Sequence, residues 1–413
     1  MIAPTLWALA ALSTLSAGGS FVIEHTRVEV GDGTVLDDVD VVVTDGAIVA
    51  VAKGTTFPKD AARIDGKGKV VTPGFIEVKT AIGLVEIDAE PAANDAMLTQ
   101  PFTPGVRPSD AFHLDSTRLA VARQGGVTHI VTAPQGGVLA GQGMLAALDD
   151  QPLLPSARVV GVYGSLDEGV RPMAGNARGL VWLRLREIVD DARTLDKKRA
   201  GYEAGASRPF TLSAAHLAAL APIVKGERPL VLEVDSATDM RALFVFLDEE
   251  KARGSPMKVV LTGAREAWVV KDELAKRQIP VVVTPTMQVP DGFGSRAARD
   301  DAAAILDAAG VPLVLSTNGW ANNAARLRQE AGIAVAHGLP RDRALRAITL
   351  TPAAVVGAAD MGRVAPKMRA HLVVWSGDPL ELQTRAERVF IDGAEVSLKT
   401  RQRALAEKYR AKK

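Results

Sequence analysis

The side chains best suited to holding a metal ion or moving a proton are six histidines: His25, His113, His129, His216, His337 and His371. Two imidazoles can share a divalent ion when they recur at short strand or helix spacing, and no two of these do. Cysteine is absent, which excludes disulfides, thiolate metal sites and a cysteine nucleophile. Two glycine-rich stretches, Gly136-Gly137 and Gly141-Gln142-Gly143, match neither the Walker nor the dinucleotide-binding spacing. They read instead as a loop after a strand, where small residues permit a tight turn.

The elements that must position these groups fall into two rhythms. From Phe21 to Val71, short β-branched runs alternate with turn dipeptides such as Asp45-Gly46, the signature of β-hairpins. From Pro73 onward, apolar strands (Val127 to Thr132, Ala157 to Val162, Leu230 to Val234, Val259 to Leu261, Val281 to Thr284, Val311 to Leu315) alternate with helical stretches such as Ala237 to Arg253. That alternation predicts βα units around a parallel sheet, and its length suits a (β/α)8 barrel. After Gly362 the β-type pattern returns, with the turn Asp392-Gly393. The expected architecture is therefore α/β: a TIM-like (β/α)8 barrel over 73–365 and a small β-sandwich domain built from both chain ends, 21–72 with 366–397. By position His25 and His371 belong to the small domain, and His216 and His337 to helices. His113 precedes a helix, and His129 alone is placed to face the barrel interior, where a single histidine reads as a core residue rather than a ligand.

The chain has 413 residues, with 49 Lys+Arg against 48 Asp+Glu, so nothing electrostatic calls for a nucleic-acid partner. Residues 398–413 form a basic C-terminal helix or tail, expected to be solvated. The first twenty residues carry an apolar run, Leu6 to Leu15, followed by small residues. This is the pattern of a signal peptide and too short to span a bilayer. The expected address is periplasmic or secreted, with a cytoplasmic one as the alternative because no basic residue precedes the run.

Four stretches carry a family resemblance: Val71-Thr72-Pro73-Gly74-Phe75-Ile76-Glu77; Gly125-Gly126-Val127-Thr128; Ala331 to Leu339 with Ala344 to Ala353; and His371-Leu372-Val373-Val374-Trp375-Ser376-Gly377-Asp378-Pro379-Leu380. In this order they resemble the amidohydrolase superfamily, in particular its imidazolonepropionase-like branch. The resemblance implies hydrolysis of C–N bonds at a zinc centre held by a His-x-His pair after strand 1, often a carboxylated lysine on strand 4, histidines after strands 5 and 6, and an aspartate after strand 8.

At the matched positions this chain has other residues. Lys79-Thr80-Ala81 stands for His-x-His, Glu233 for the strand 5 histidine, Thr262 or Gly263 for that of strand 6, and Asn318 for the aspartate. A protonated amine and an alanine offer a metal no lone pair, and an amide cannot serve as general base. No strand 4 lysine is evident between Gly161 and Arg184. The expectation is a site without zinc or other cofactor, in which the Lys79 ammonium takes roughly the place of the metal, paired with Glu233 and bonded to Asn318, because buried charge is tolerated only when paired. Glu77 is expected to support the end of strand 1. His129 and Trp320 are candidate pocket-lining residues, and Arg296, Asp300 and Asp301 lie in loops that could add to them. Two functions follow: a metal-free protein that binds a small molecule or assembles with itself or an active paralogue, or a hydrolase of C–N bonds in cyclic or peptide-like amides with an atypical or metal-independent site, for instance with Lys79 as base or nucleophile.

Overall fold

The computed structural model describes residues 19–150, 157–203, 208–317 and 319–410. The apolar run that reads as a signal peptide lies outside them, as does Asn318. Among the described residues no helix is long and apolar enough to cross a membrane.

The first sheet joins the two chain ends. It holds β1 (Phe21–Glu29), β2 (Val35–Thr44), β3 (Ala47–Ala52), β4 (Ala62–Asp65) and β5 (Val70–Pro73), and, from the far end of the sequence, β14 (Leu372–Trp375), β15 (Ala386–Ile391) and β16 (Ala394–Glu395). The strand order is β16-β15-β14-β5-β1-β2-β3, with β4 beside β1. Two-residue turns close the β2–β3 and β15–β16 hairpins, and all four of their residues, Asp45, Gly46, Asp392 and Gly393, have positive φ. This is the geometry that matches hairpin twist. The turns also touch: a Cβ on Gly393 would come within 2.7 Å of the Gly46 backbone. Each turn therefore needs glycine for its own conformation and for its neighbour.

The second sheet is the barrel: β6 (Phe75–Thr80), β7 (Val127–Thr132), β8 (Gly141–Ala147), β9 (Arg158–Ser165), β10 (Pro229–Glu233), β11 (Lys258–Thr262), β12 (Val281–Val283) and β13 (Leu313–Leu315), paired in sequence order. One expectation is corrected here. Gly141-Gln142-Gly143 is not loop but the start of β8, which runs antiparallel to both β7 and β9. The segment Ala133 to Ala140 is too short for the crossover of about a dozen residues that a parallel return requires. Gly143 admits the Tyr163 ring, which a Cβ would meet at 2.1 Å. Gly136, with φ +87, makes the turn read from the sequence.

Ile76, Val78, Val131, Tyr163, Val231 and Val314 fill the barrel interior, so this is a packed core and not a pore. Closure between the last strand and the first rests on polar groups. Thr80 bridges to Gly319, and the fully buried Glu77 carboxylate accepts from Ser316 Oγ, Thr317 N (2.9 Å), Thr317 Oγ1 (2.7 Å) and Lys79 N (3.1 Å). The C-terminal helix, Arg401–Arg410, buries none of its side chains.

Replacing Glu77 with alanine strands four donors in a closed space, so Glu77→Ala is expected to lower the unfolding free energy by about 3 kcal/mol or more. Urea denaturation measures this, and a loss below about 0.5 kcal/mol, typical of an inert surface change, would contradict the assignment.

Candidate functional site

The C-terminal ends of barrel strands are where this fold places its chemistry. Three strands end there in register: Ser165 of β9 lies beside Glu233 of β10, which lies beside Thr262 of β11. Lys79, near the end of β6, reaches across to them. Its Nζ sits 2.8 Å from Glu233 Oε2 and 3.4 Å from Thr262 Oγ1, and the Lys79 side chain is only 12% exposed. The Lys79 ammonium beside Glu233 holds that carboxyl below its usual pKa, against the opposing effect of burial. At 2.8 Å and this depth the pair is weakly screened, unlike a surface contact.

Behind the ion pair lie two acids that the resemblance did not point to. Asp167 follows β9 by two residues and Asp235 follows β10 by two. Asp235 N donates to Asp167 Oδ1 at 3.1 Å. Burial, with Asp235 and Glu233 close by, pushes the Asp167 carboxyl up to about 8. Burial also pushes Asp235 up to about 6, although Arg265 stands 3.4 Å from its Oδ2 and resists the rise. Gly263, with φ +70, makes room for both groups: a Cβ there would lie 2.6 Å from Asp235 Oδ1 and 3.3 Å from Glu233 Cγ. Glycine is thus required at one of the two positions matched to the strand 6 histidine. The sequence signal for the two acids was their offset, each two residues beyond the end of a barrel strand, where side chains turn into the mouth.

The space enclosed by Lys79, Gln135, Tyr163, Ser165, Glu233 and Thr262 has a volume of about 30 Å³. That is room for roughly two water molecules. Ala81 is buried in apolar packing below the rim. The other expected residues lie elsewhere. His129 packs edge-on against His371, ring centroids 4.4 Å apart, and the His371 carbonyl accepts from Gly74 N at the start of the first barrel strand. His129 therefore sits at the opposite end of the barrel and does not line the mouth cavity. Burial drives both imidazoles down, His371 to about 3, so both are neutral near pH 7. Trp320 is 56% exposed on the loop after β13 and lies outside the cavity. Arg296 stacks on Phe293, and Asp300 and Asp301 line a separate open depression with Trp268 and His337. The fourth barrel strand, β9, ends in Ser165, not lysine.

Among the described residues, the donors at the mouth differ from the imidazole-rich set that the resemblance implies for a zinc ion. The ammonium at the first position is committed to Glu233, the neighbouring strand ends offer hydroxyls, and no imidazole reaches the mouth. Among the described residues no group of three His, Cys, Asp or Glu side chains is disposed to hold a metal.

The sequence model of the amidohydrolase family matches residues 70–400, and the chain belongs to that family. It is 25% identical over 381 residues to the amidohydrolase tasK of Hapsidospora irregularis, covering 80% of this chain but 37% of that protein. It thus spans little more than a third of that relative's length. A crystal structure of an amidohydrolase from Thermotoga maritima MSB8 superposes with a TM-score of 0.82 at 23% identity, over 91% of this chain and 99% of that one. An adenosine deaminase from Xanthomonas campestris with bound zinc shares the fold at a TM-score of 0.55 and 18% identity, over 95% and 97% of the two chains.

The raised acids predict a pH dependence of known sign. Asp167 and Asp235 hold their protons more tightly folded than unfolded, so their stabilising contribution is complete below the ordinary carboxylate pKa of about 4. It is lost as pH rises through about 6 for Asp235 and about 8 for Asp167. Melting temperatures recorded from pH 4 to 9 should fall over this window in the native protein and fall less in Asp167→Asn. Equal slopes in the two proteins would refute the assignment.

Proposed function

We propose that this amidohydrolase-family chain works without a metal centre, as a non-hydrolytic binding subunit in which the Lys79 ammonium supplies the fixed positive charge at the barrel mouth. The observation carrying this reading is the 2.8 Å contact of Lys79 Nζ with Glu233 Oε2, at positions the family resemblance assigns to histidine ligands. An ammonium and a divalent ion cannot share one small cavity, because their repulsion at contact distance would be large in so dry a place. The occupant of the mouth is a small molecule or a loop of a partner subunit, either another copy or an active paralogue, and the rim must move to admit anything larger than water. The apolar run 6–15 supports export, with the work done in a periplasmic or extracellular setting.

One observation favours the rival reading, a metal-independent hydrolase of cyclic or peptide-like amides. Asp167, pushed up to about 8, would be a neutral acid at physiological pH, able to protonate a leaving nitrogen.

Elemental analysis of purified protein, run beside an amidase and peptidase panel, separates the possibilities. The proposal predicts zinc far below one equivalent, no turnover, and a melting temperature unchanged by chelator. Turnover abolished by chelator with stoichiometric zinc would overturn it. Zinc-free turnover lost in Asp167→Asn would establish the rival.

A further inference from the structure

A second cavity, far roomier than the mouth, lies at the opposite end of the barrel from Lys79. It is an open groove of about 1090 Å³ beneath the N-terminal ends of β9 to β12. Its floor is aliphatic, made by Val159, Val160, Leu247, Val259 and Ile279, and no aromatic ring lines it. Its walls are rich in cations. Arg277 is held by both oxygens of Asp248, at 2.8 and 2.7 Å, and Arg158 donates to the Gly357 carbonyl at 3.1 Å. The other four, Arg228, Lys251, Lys258 and Lys276, line the same groove, and none makes a side-chain hydrogen bond or ion pair among the described residues.

Helix dipoles account for part of this. Lys251 and Lys276 stand in the last turns of the helices Ala237–Ala252 and Lys271–Arg277, where positive charge offsets the exposed carbonyls. Arg228 and Lys258 have no such reason. One precedes β10 and the other opens β11, and both project exposed charge over buried valines. Three acids also line the groove, but Asp248 is committed to Arg277 and Glu273 faces Arg241 at 3.6 Å. Among the described lining residues that leaves Glu227, with the Asp248 charge also felt by nearby Lys251, against four cations that make no ion pair.

We infer that this groove is a second binding site, for an anion carried on an aliphatic chain. The cations take the phosphate or carboxylate head and the valine floor takes the chain. Burying each methylene contributes about 0.8 kcal/mol, so a chain adds affinity that a bare anion cannot reach. A nucleotide fits less well, since its base would find no ring on which to stack. The volume suits a ligand of this size, because pockets for small molecules run from about 300 to 1,000 Å³. This site is independent of the mouth, and Lys79 plays no part in it.

Isothermal titration of the full chain with decyl phosphate, kept below its micelle-forming concentration, tests the inference. Saturable one-to-one binding is expected, with inorganic phosphate, decyl maltoside and ADP each weaker by about tenfold or more, equivalent to 1.4 kcal/mol. The double variant Arg228→Gln/Lys258→Gln, at exposed positions that leave the melting temperature unchanged, should weaken decyl phosphate by at least about tenfold. No saturable binding of decyl phosphate would overturn the inference. So would equal affinity in the double variant, or an affinity for ADP or decyl maltoside matching that for decyl phosphate.

Discussion

The mouth of this barrel is organised by one ion pair, Lys79 with Glu233. An ammonium brought to 12% exposure loses most of its hydration, and only a carboxylate at hydrogen-bond distance repays that loss. The rest of the mouth conforms to the pair. Thr262 offers its hydroxyl from the adjoining strand, Gly263 clears the space beside Glu233, and Arg265 supplies a second positive charge against Asp235. Three acids and two cations thus form one partly buried network. Within it, burial and the two neighbouring acids push the Asp167 carboxyl up to about 8.

The pair also depends on barrel closure. Lys79 is two residues beyond Glu77, and the Glu77 carboxylate ties the first strand to the segment after the last through Ser316 and Thr317. β6 is paired with β7 by its backbone ladder, and the Glu77 tie adds a second anchor, on the closing side of the barrel, to the strand that carries Lys79. Closure and the charge network are thus joined through two positions, two residues apart, on one strand.

Much of this was legible in the sequence. The hairpins at Asp45-Gly46 and Asp392-Gly393 announce themselves because positive φ at two consecutive residues restricts residue choice so sharply. The barrel rhythm and the joining of the chain ends follow from hydrophobic periodicity. Lys79 and Glu233 were found because the family resemblance named their positions, and their contact followed from electrostatics. The antiparallel β8 was not legible, because a glycine-rich, half-apolar stretch reads equally as loop or strand, and only the short link from β7 forces its direction. Asp167 and Asp235 escaped notice because an acid two residues past a strand is commonplace; their meaning comes from burial and from each other. His129 was placed facing inward but at the wrong height, since strand alternation gives the face of a side chain and not its level along the barrel axis.

A double-mutant cycle between Lys79→Met and Glu233→Gln, read by urea denaturation, tests most directly whether these two charges are held as a unit in place of a metal. The account predicts a coupling energy of about 1–3 kcal/mol, with the double variant more stable than the sum of the single losses implies. Additive losses, within about 0.5 kcal/mol, would mean that the two side chains meet without depending on each other, and would contradict it.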